Sequence, residues 1–144
     1  MYKIVKFDIS EEELSAIAFE IRNRVFVIEQ KVDPKLEYDN FEGMAIHYLA
    51  YHENIAVATA RWRHTEKGIK LERFATLKEW RNKGAGTAIL LEVLKDVIPH
   101  PATIYLHAQL PAVRFYEKHG FSKEGEIFIE ADMAHYKMVY SGEK

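Results

Sequence analysis

Trp80-Arg81-Asn82-Lys83-Gly84-Ala85-Gly86-Thr87 follows a strand-like run and opens a helical one. Gly84 and Gly86 let the backbone come close to a ligand and turn its amides outward. The helix start adds N–H groups without an intrahelical partner and a partial positive charge. With Arg81 and Lys83 alongside, the stretch reads as a phosphate cradle of the kind a pyrophosphate needs. A Walker-type loop needs Lys and then Ser or Thr directly after its last glycine, whereas Gly86 is followed by Thr87 and Ala88. A Rossmann turn needs a third glycine, and none is present. A strand-to-helix turn whose glycines serve tight packing remains the other reading of these eight residues.

Working outward, Ile89, Leu90, Val93, Leu94 and Val97 recur at helical spacing, which predicts a helix over about residues 84–98, stopped by Pro99 and Pro101. Before the loop, residues 46–51, 55–63 and 70–76 read as an antiparallel meander with turns at His52-Glu53-Asn54 and Glu66-Lys67-Gly68. Residues 2–7 alternate as a strand. Ser10 and Glu13 have the spacing of a capping box, ahead of a helical stripe of Leu14, Ile17, Ala18, Ile21 and Val25. Residues 31–43 lose periodicity and read as a loop or a broken short helix. After the second helix come a buried strand at 103–108, a short helix at 112–118 ended by Gly120, and strands at 121–129 and 135–140. The expectation is one α/β domain over residues 1–144, with strands outnumbering helices.

Composition excludes several classes. A net charge of −2 leaves no broad basic field for nucleic acid or anionic lipid. There is no cysteine, hence no disulfide or thiolate nucleophile, and no apolar run approaches a membrane span. The first residues lack the pattern of a secretion signal, so a cytoplasmic location is expected. None of the 7 histidines has zinc-like spacing to another, and no metal is expected.

Gln109-Leu110-Pro111-Ala112-Val113-Arg114-Phe115-Tyr116-Glu117-Lys118-His119-Gly120-Phe121 sets a tyrosine on a short helix just after a buried strand. Together with the glycine loop, it resembles the GNAT superfamily of N-acetyltransferases. Arg81-x-x-Gly84-x-Gly86 matches the family's R/Q-x-x-G-x-G/A motif, and Ala112-x-x-Phe115-Tyr116-Glu117-Lys118-x-Gly120-Phe121 its A-x-x-F-Y-x-x-x-G-F signature. Gln109 stands where many members have asparagine. The run Arg22-Asn23-Arg24-Val25-Phe26-Val27-Ile28-Glu29-Gln30, with Leu71-Glu72-Arg73-Phe74, is similar to a bacterial branch whose substrates are mostly unassigned.

The resemblance implies a mostly antiparallel central sheet with a splayed parallel strand pair and flanking helices. It implies acetyl-CoA as cosubstrate and direct attack on its thioester by a primary amine, carried by a small molecule or a protein. It also implies a cofactor site of Arg81, Asn82, Lys83, Gly84, Ala85, Gly86 and Thr87, with Gln109, Ala112 and Tyr116. The pantetheine arm would pair with free amides at Phe74, Ala75 and Thr76 on a strand edge. Tyr116 matches the family's general acid, its phenol pKa of ~10 suiting a thiolate leaving group.

For a base, Glu72 ranks first and Glu29 second, with ion pairing to Arg22, Arg61 or Arg73 as the alternative for either. Strand alternation would put Glu72 and Arg73 on opposite faces. His107 and His135 rank lower, as lone histidines are more often structural. The acidic run with Asp33, Glu37, Asp39 and Glu42 reads as a solvated loop or as a lip attracting a cationic amine. Phe26, Phe41 and Trp62 read as core. A non-catalytic acyl-CoA sensor is the rival function, and edge strands near the C-terminus could pair two subunits.

Overall fold

Seven alternating segments pair into one sheet in the order β1-β2-β3-β4-β5-β7-β6 in a computed structural model that describes residues 1–142. The strands are β1 (Lys3–Phe7), β2 (Ile46–His52), β3 (Ile55–Thr65), β4 (Gly68–Thr76), β5 (Ile104–Gln109), β6 (Phe121–Glu130) and β7 (Met133–Tyr140). All neighbours run antiparallel except β4 and β5, which are parallel. The helices are α1 (Glu12–Arg22), α2 (Pro34–Glu37), α3 (Ala85–Val97) and α4 (Val113–Lys118). This is an α/β domain with the mixed sheet that the resemblance implies.

The sheet is buried on both sides. One face packs on α3 and α4 through Tyr48, Val57, Leu71, Ile89, Leu90, Val93, Leu106 and Tyr116. The other packs on α1 through Phe7, Ala18, Ile21, Val25, Leu49, Ala75 and Leu77. Trp62 belongs to the first core and Phe26 packs against the second, while Phe26 and Phe41 also line a cavity. Among the described residues no helix is long and apolar enough to cross a membrane.

The parallel pair is tied at one end only. β4 and β5 are in register at Ile69 with Ile104, Lys70 with Tyr105, and Leu71 with Leu106, and then part. Gly68 makes the tie: the Ile69 amide donates to the Thr103 carbonyl at 2.7 Å, and a Cβ on Gly68 would lie 2.2 Å from that same oxygen. At the far end a β-bulge interrupts the β3–β4 ladder between Thr59 and Arg61, with Arg73 at φ 56°. A bulge bends its strand and sharpens its twist, which carries the end of β4 away from β5.

Two local readings change. The Ser10–Glu13 capping box does not form, because Asp8 takes both Ser10 groups: its carboxylate accepts from the Ser10 amide at 2.9 Å and from the hydroxyl. Helix α1 starts behind Glu11 with no side-chain cap. Its stripe continues into a π-helical turn (Asn23–Glu29), closed by the Gln30 amide on the Val25 carbonyl at 3.0 Å. In the irregular segment that follows, Asp33 caps α2 by accepting from the Lys35 amide, with Pro34 in the first turn.

Candidate functional site

The glycine loop has the form the sequence suggests. Gly84 is left-handed at φ 90° and caps α3, Asn82 is at φ 62°, and the Tyr2 hydroxyl holds the Lys83 carbonyl at 2.8 Å. The helical ladder begins with the Ala88 amide on the Gly84 carbonyl, which leaves the amides of Ala85, Gly86 and Thr87 outside it. Arg81 is turned away: its Nε donates to the Thr76 carbonyl, and its two terminal nitrogens fork onto Glu29 at 2.5 and 2.6 Å. Lys83 lies over the Trp80 ring.

Beyond Leu71 the β4 edge facing β5 is unpaired, while Ala75 and Thr76 pair with Thr59 and Ala58 on the β3 side. Tyr116 stands at this split from the α4 side, packed on Phe74, Phe115 and Phe121. Burial pushes its phenol well above the ordinary tyrosine range. Among the described residues nothing hydrogen-bonds its hydroxyl, and Tyr116 is one of the residues lining a cavity of about 390 Å³ on the opposite side of the split. Phe74, Ala108, Gln109 and Ala112 border the cavity at the split, and Phe26, Gln30, Leu36 and Phe41 wall it from the α1–α2 side. Gln109 donates to Gln30 at 3.0 Å across its mouth.

The polar wall is an ion-pair lattice. Arg22 holds Glu37 and Glu42 at 2.7 Å each, and Arg61 holds Asp39, Glu42 and Glu72 at 2.7, 2.8 and 3.2 Å. Arg73 adds Glu37 at 2.8 Å and Asp39 at 3.1 Å. Two readings are corrected here. The acidic loop is no cation-attracting lip, since Glu37, Asp39 and Glu42 are spent on guanidinium groups and Asp33 on its helix cap. Glu72 and Arg73 do not face opposite sides either: the bulge resets the alternation and brings them within 4.0 Å in one lattice.

Glu72 also accepts from Arg63, and burial, which would raise its pKa, is overcome by Arg61 and its neighbours, so the carboxyl sits below its ordinary range. Glu29 is lowered by its hydrogen bond from Arg81, the partner in place of Arg22, Arg61 or Arg73. Burial likewise works against the charged form of Asp39, yet hydrogen bonds from Arg61 and the Phe41 amide hold it at about 2.

His47 is buried behind the lattice, stacked on Phe7, and burial lowers its pKa. As pH falls below the ordinary value of ~6.5, the unfolded chain takes up this proton before the folded one does. Stability should therefore decline from there down to the folded pKa, and His47→Gln should flatten that limb in urea titrations run against pH. An equal acid slope in the variant would assign the loss to other groups.

Two histidines border the same cavity. His107 meets Glu130 of the β6–β7 hairpin through Nδ1 at 3.1 Å, an interaction that holds Glu130 at about 2. A carboxylate can only accept, so in the neutral imidazole Nδ1 carries the proton and Nε2 the lone pair. His135 is buried, with Nδ1 on the Met133 carbonyl at 2.8 Å. Glu130 escaped the sequence reading because only the register of β6 against β7 brings it to His107. Among the described residues no three His, Asp or Glu side chains are placed to hold a metal.

The family model for the GNAT acetyltransferase domain matches residues 6–141. The uncharacterized N-acetyltransferase YjcF of Bacillus subtilis is 36% identical over 132 residues, covering 90% of this chain and 94% of its own. Escherichia coli ElaA has the same fold, with a TM-score of 0.87 over 98% of this chain and 100% of its own at 24% identity. Arabidopsis thaliana Naa50, solved with the bisubstrate analogue CoA-Ac-MVNAL, superposes with a TM-score of 0.68 at 24% identity, covering 94% and 97%.

Proposed function

This chain belongs to the GNAT acetyltransferase family and is an acyltransferase, and from that membership we propose that it moves an acetyl group from acetyl-CoA to a primary amine by direct attack. The carrying observation is the split between β4 and β5. It joins the side of the molecule bearing the glycine loop to the cavity on the other side, with Tyr116, whose hydroxyl has no hydrogen-bond partner among the described residues, at the junction.

The residues fit a CoA thioester. The Ala85, Gly86 and Thr87 amides suit a pyrophosphate, with Asn82 and Lys83 beside them. The unpaired edge at Phe74, Ala75 and Thr76 suits the amides of a pantetheine arm, and Gln109 and Ala112 flank it. Binding of a CoA analogue by a protein of the same fold supports this placement. The bound thioester supplies an activated acyl carbon.

The chain's own groups do the rest. Amides of the β4 edge offer fixed dipoles to the charge that develops on the carbonyl oxygen. Tyr116 delivers a proton to the departing sulfur, and burial keeps its phenol neutral so that the proton is there to give. For the amine proton we turn from Glu72 and Glu29, both committed to guanidinium groups, to His107, whose Nε2 lone pair is left open by the bond that Glu130 accepts. Arg81 is assigned the second task of tying the loop to Glu29, at the end of the π-helical turn.

Calorimetric titration of acetyl-CoA into the wild type and Gly86→Glu tests the reading. A Cβ at Gly86 meets only ordinary contacts, the nearest being Phe115 at 3.6 Å, and a carboxylate in the first turn of a helix is compatible with its dipole. The variant should keep its melting temperature and lose more than ~10-fold in affinity, from charge repulsion across the cradle. A folded wild type that binds no acetyl-CoA would end the proposal. Binding without transfer to any amine in a broad panel would favour the sensor.

A further inference from the structure

Resting on the transferase reading above, we propose that Arg63 and Lys70 form an anion subsite in the cavity, and that the acceptor is a short amino acid whose carboxylate they bind. The two residues are directly paired across β3 and β4, and both border the cavity. Their side chains are only 13% and 16% exposed, yet they are poorly supplied with acceptors. Arg63 gives its Nε–H to Glu72 and lays its guanidinium over the Phe41 ring at 3.8 Å, while its terminal nitrogens make no hydrogen bond among the described residues. The nearest carboxylate to the Lys70 ammonium is Glu72 at 3.7 Å, and among the described residues that ammonium makes no hydrogen bond.

Charge counting leads to the same place. The connected lattice holds the cations Arg22, Arg61, Arg63, Lys70 and Arg73 against the carboxylates Glu37, Asp39, Glu42 and Glu72. The imbalance falls at Glu72, which faces Arg61, Arg63, Lys70 and Arg73, more cations than any other carboxylate of the lattice. Glu130 also feels the field of Lys70, but its hydrogen bond is committed to His107. Part-buried donors without acceptors are costly, and an anion that brings oxygens to them recovers that cost.

The subsite also sets the acceptor's length. Lys70 lies two residues before Glu72 on β4, a rise of roughly 7 Å along a strand, and the split opens just past Leu71. An amine at the split beside His107 and a carboxylate at Lys70 are therefore separated by a few carbon atoms. A polyamine would instead place its second cation against Lys70 and Arg63.

Matched acceptors test this: ω-amino acids of increasing length against the alkylamines that lack only the carboxylate, followed by CoA release. The expected result is a kcat/KM at least ~10-fold higher for the amino acid of the fitting length, with a ratio near one in Lys70→Gln and in Arg63→Gln. Lys70→Gln keeps the test sound if loss of Arg63 disturbs Glu72. A wild type that turns over both members of every pair equally, or prefers the alkylamine, overturns the subsite and leaves the transferase standing. If neither class is turned over, titrating N-acetyl-ω-amino acids and N-acetylalkylamines into the CoA-bound protein decides. Selective binding of the carboxylate forms, lost in Lys70→Gln, supports the subsite, and equal or absent binding overturns it.

Discussion

Arg61→Met lowers the stability of the fold by about 3–5 kcal/mol, the usual cost of removing one partner from a buried ionic cluster. Arg61 is fully buried and holds Asp39, Glu42 and Glu72 together. Among the described residues no other cation touches all three. Methionine fills much of the volume but leaves those carboxylates facing one another in a region from which most water is excluded. Arg61→Lys should recover only part of the loss, because a point charge cannot fork to partners on β4 and on the irregular segment after α2 at once. Urea denaturation at neutral pH measures both. The Asp39 carboxyl, held at about 2 largely by Arg61, should also titrate higher in the methionine variant. A loss below about 1 kcal/mol would mean that Arg22, Arg63 and Arg73 redistribute to cover the carboxylates, and that Arg61 is dispensable.

Tyr116→Phe should lower kcat by roughly 10²–10⁴-fold, the usual contribution of a positioned proton donor, while leaving KM for acetyl-CoA near its wild-type value. The ring contacts with Phe74, Phe115 and Phe121 survive the change, and no hydrogen bond is lost among the described residues. Destabilisation cannot then stand in for a chemical effect. His107→Gln is the partner experiment: it should lower kcat while leaving KM for acetyl-CoA near its wild-type value. In Glu130→Gln the ring is present but no longer held by a carboxylate, and kcat should fall by less than in His107→Gln. Turnover by Tyr116→Phe within about threefold of wild type would assign the sulfur's proton to water.

Much of the fold can be read in the chain because period and punctuation agree. The stripe from Ile89 to Val97, the stops at Pro99 and Pro101 and the left-handed Gly84 and Gly120 each specify one element locally. The backbone form of the glycine loop is legible for the same reason, with a left-handed Gly84 at the start of α3. What stayed hidden depends on long-range register. Alternation placed Glu72 and Arg73 on opposite faces, and a single left-handed residue in the middle of β4 undid that, with nothing at Arg73 to announce it. Ser10 looked like a cap until Asp8, two residues earlier, took its hydrogen bonds. Glu29 and Arg81 stand 52 positions apart, as do no motif's letters, and only the packing of the π-helical turn beside the glycine loop joins them. The acidic loop was the hardest part, since its meaning lay in arginines on α1, β3 and β4 that a local window cannot assign to it.

The one-ended tie between β4 and β5 has a mechanical consequence. Along the hydrogen-bonded direction the sheet is two plates, β1 to β4 and β5 to β7, stitched by three residue pairs. The stitch lies at one edge, as in a hinged book, and the free margins are those that border the cavity. A molecule lodged between the margins acts as a splint, restraining two parts of the backbone far apart in sequence. Amide exchange along the free margin of β4 should therefore slow when acetyl-CoA binds, while the stitched amides, such as that of Ile69, hardly change.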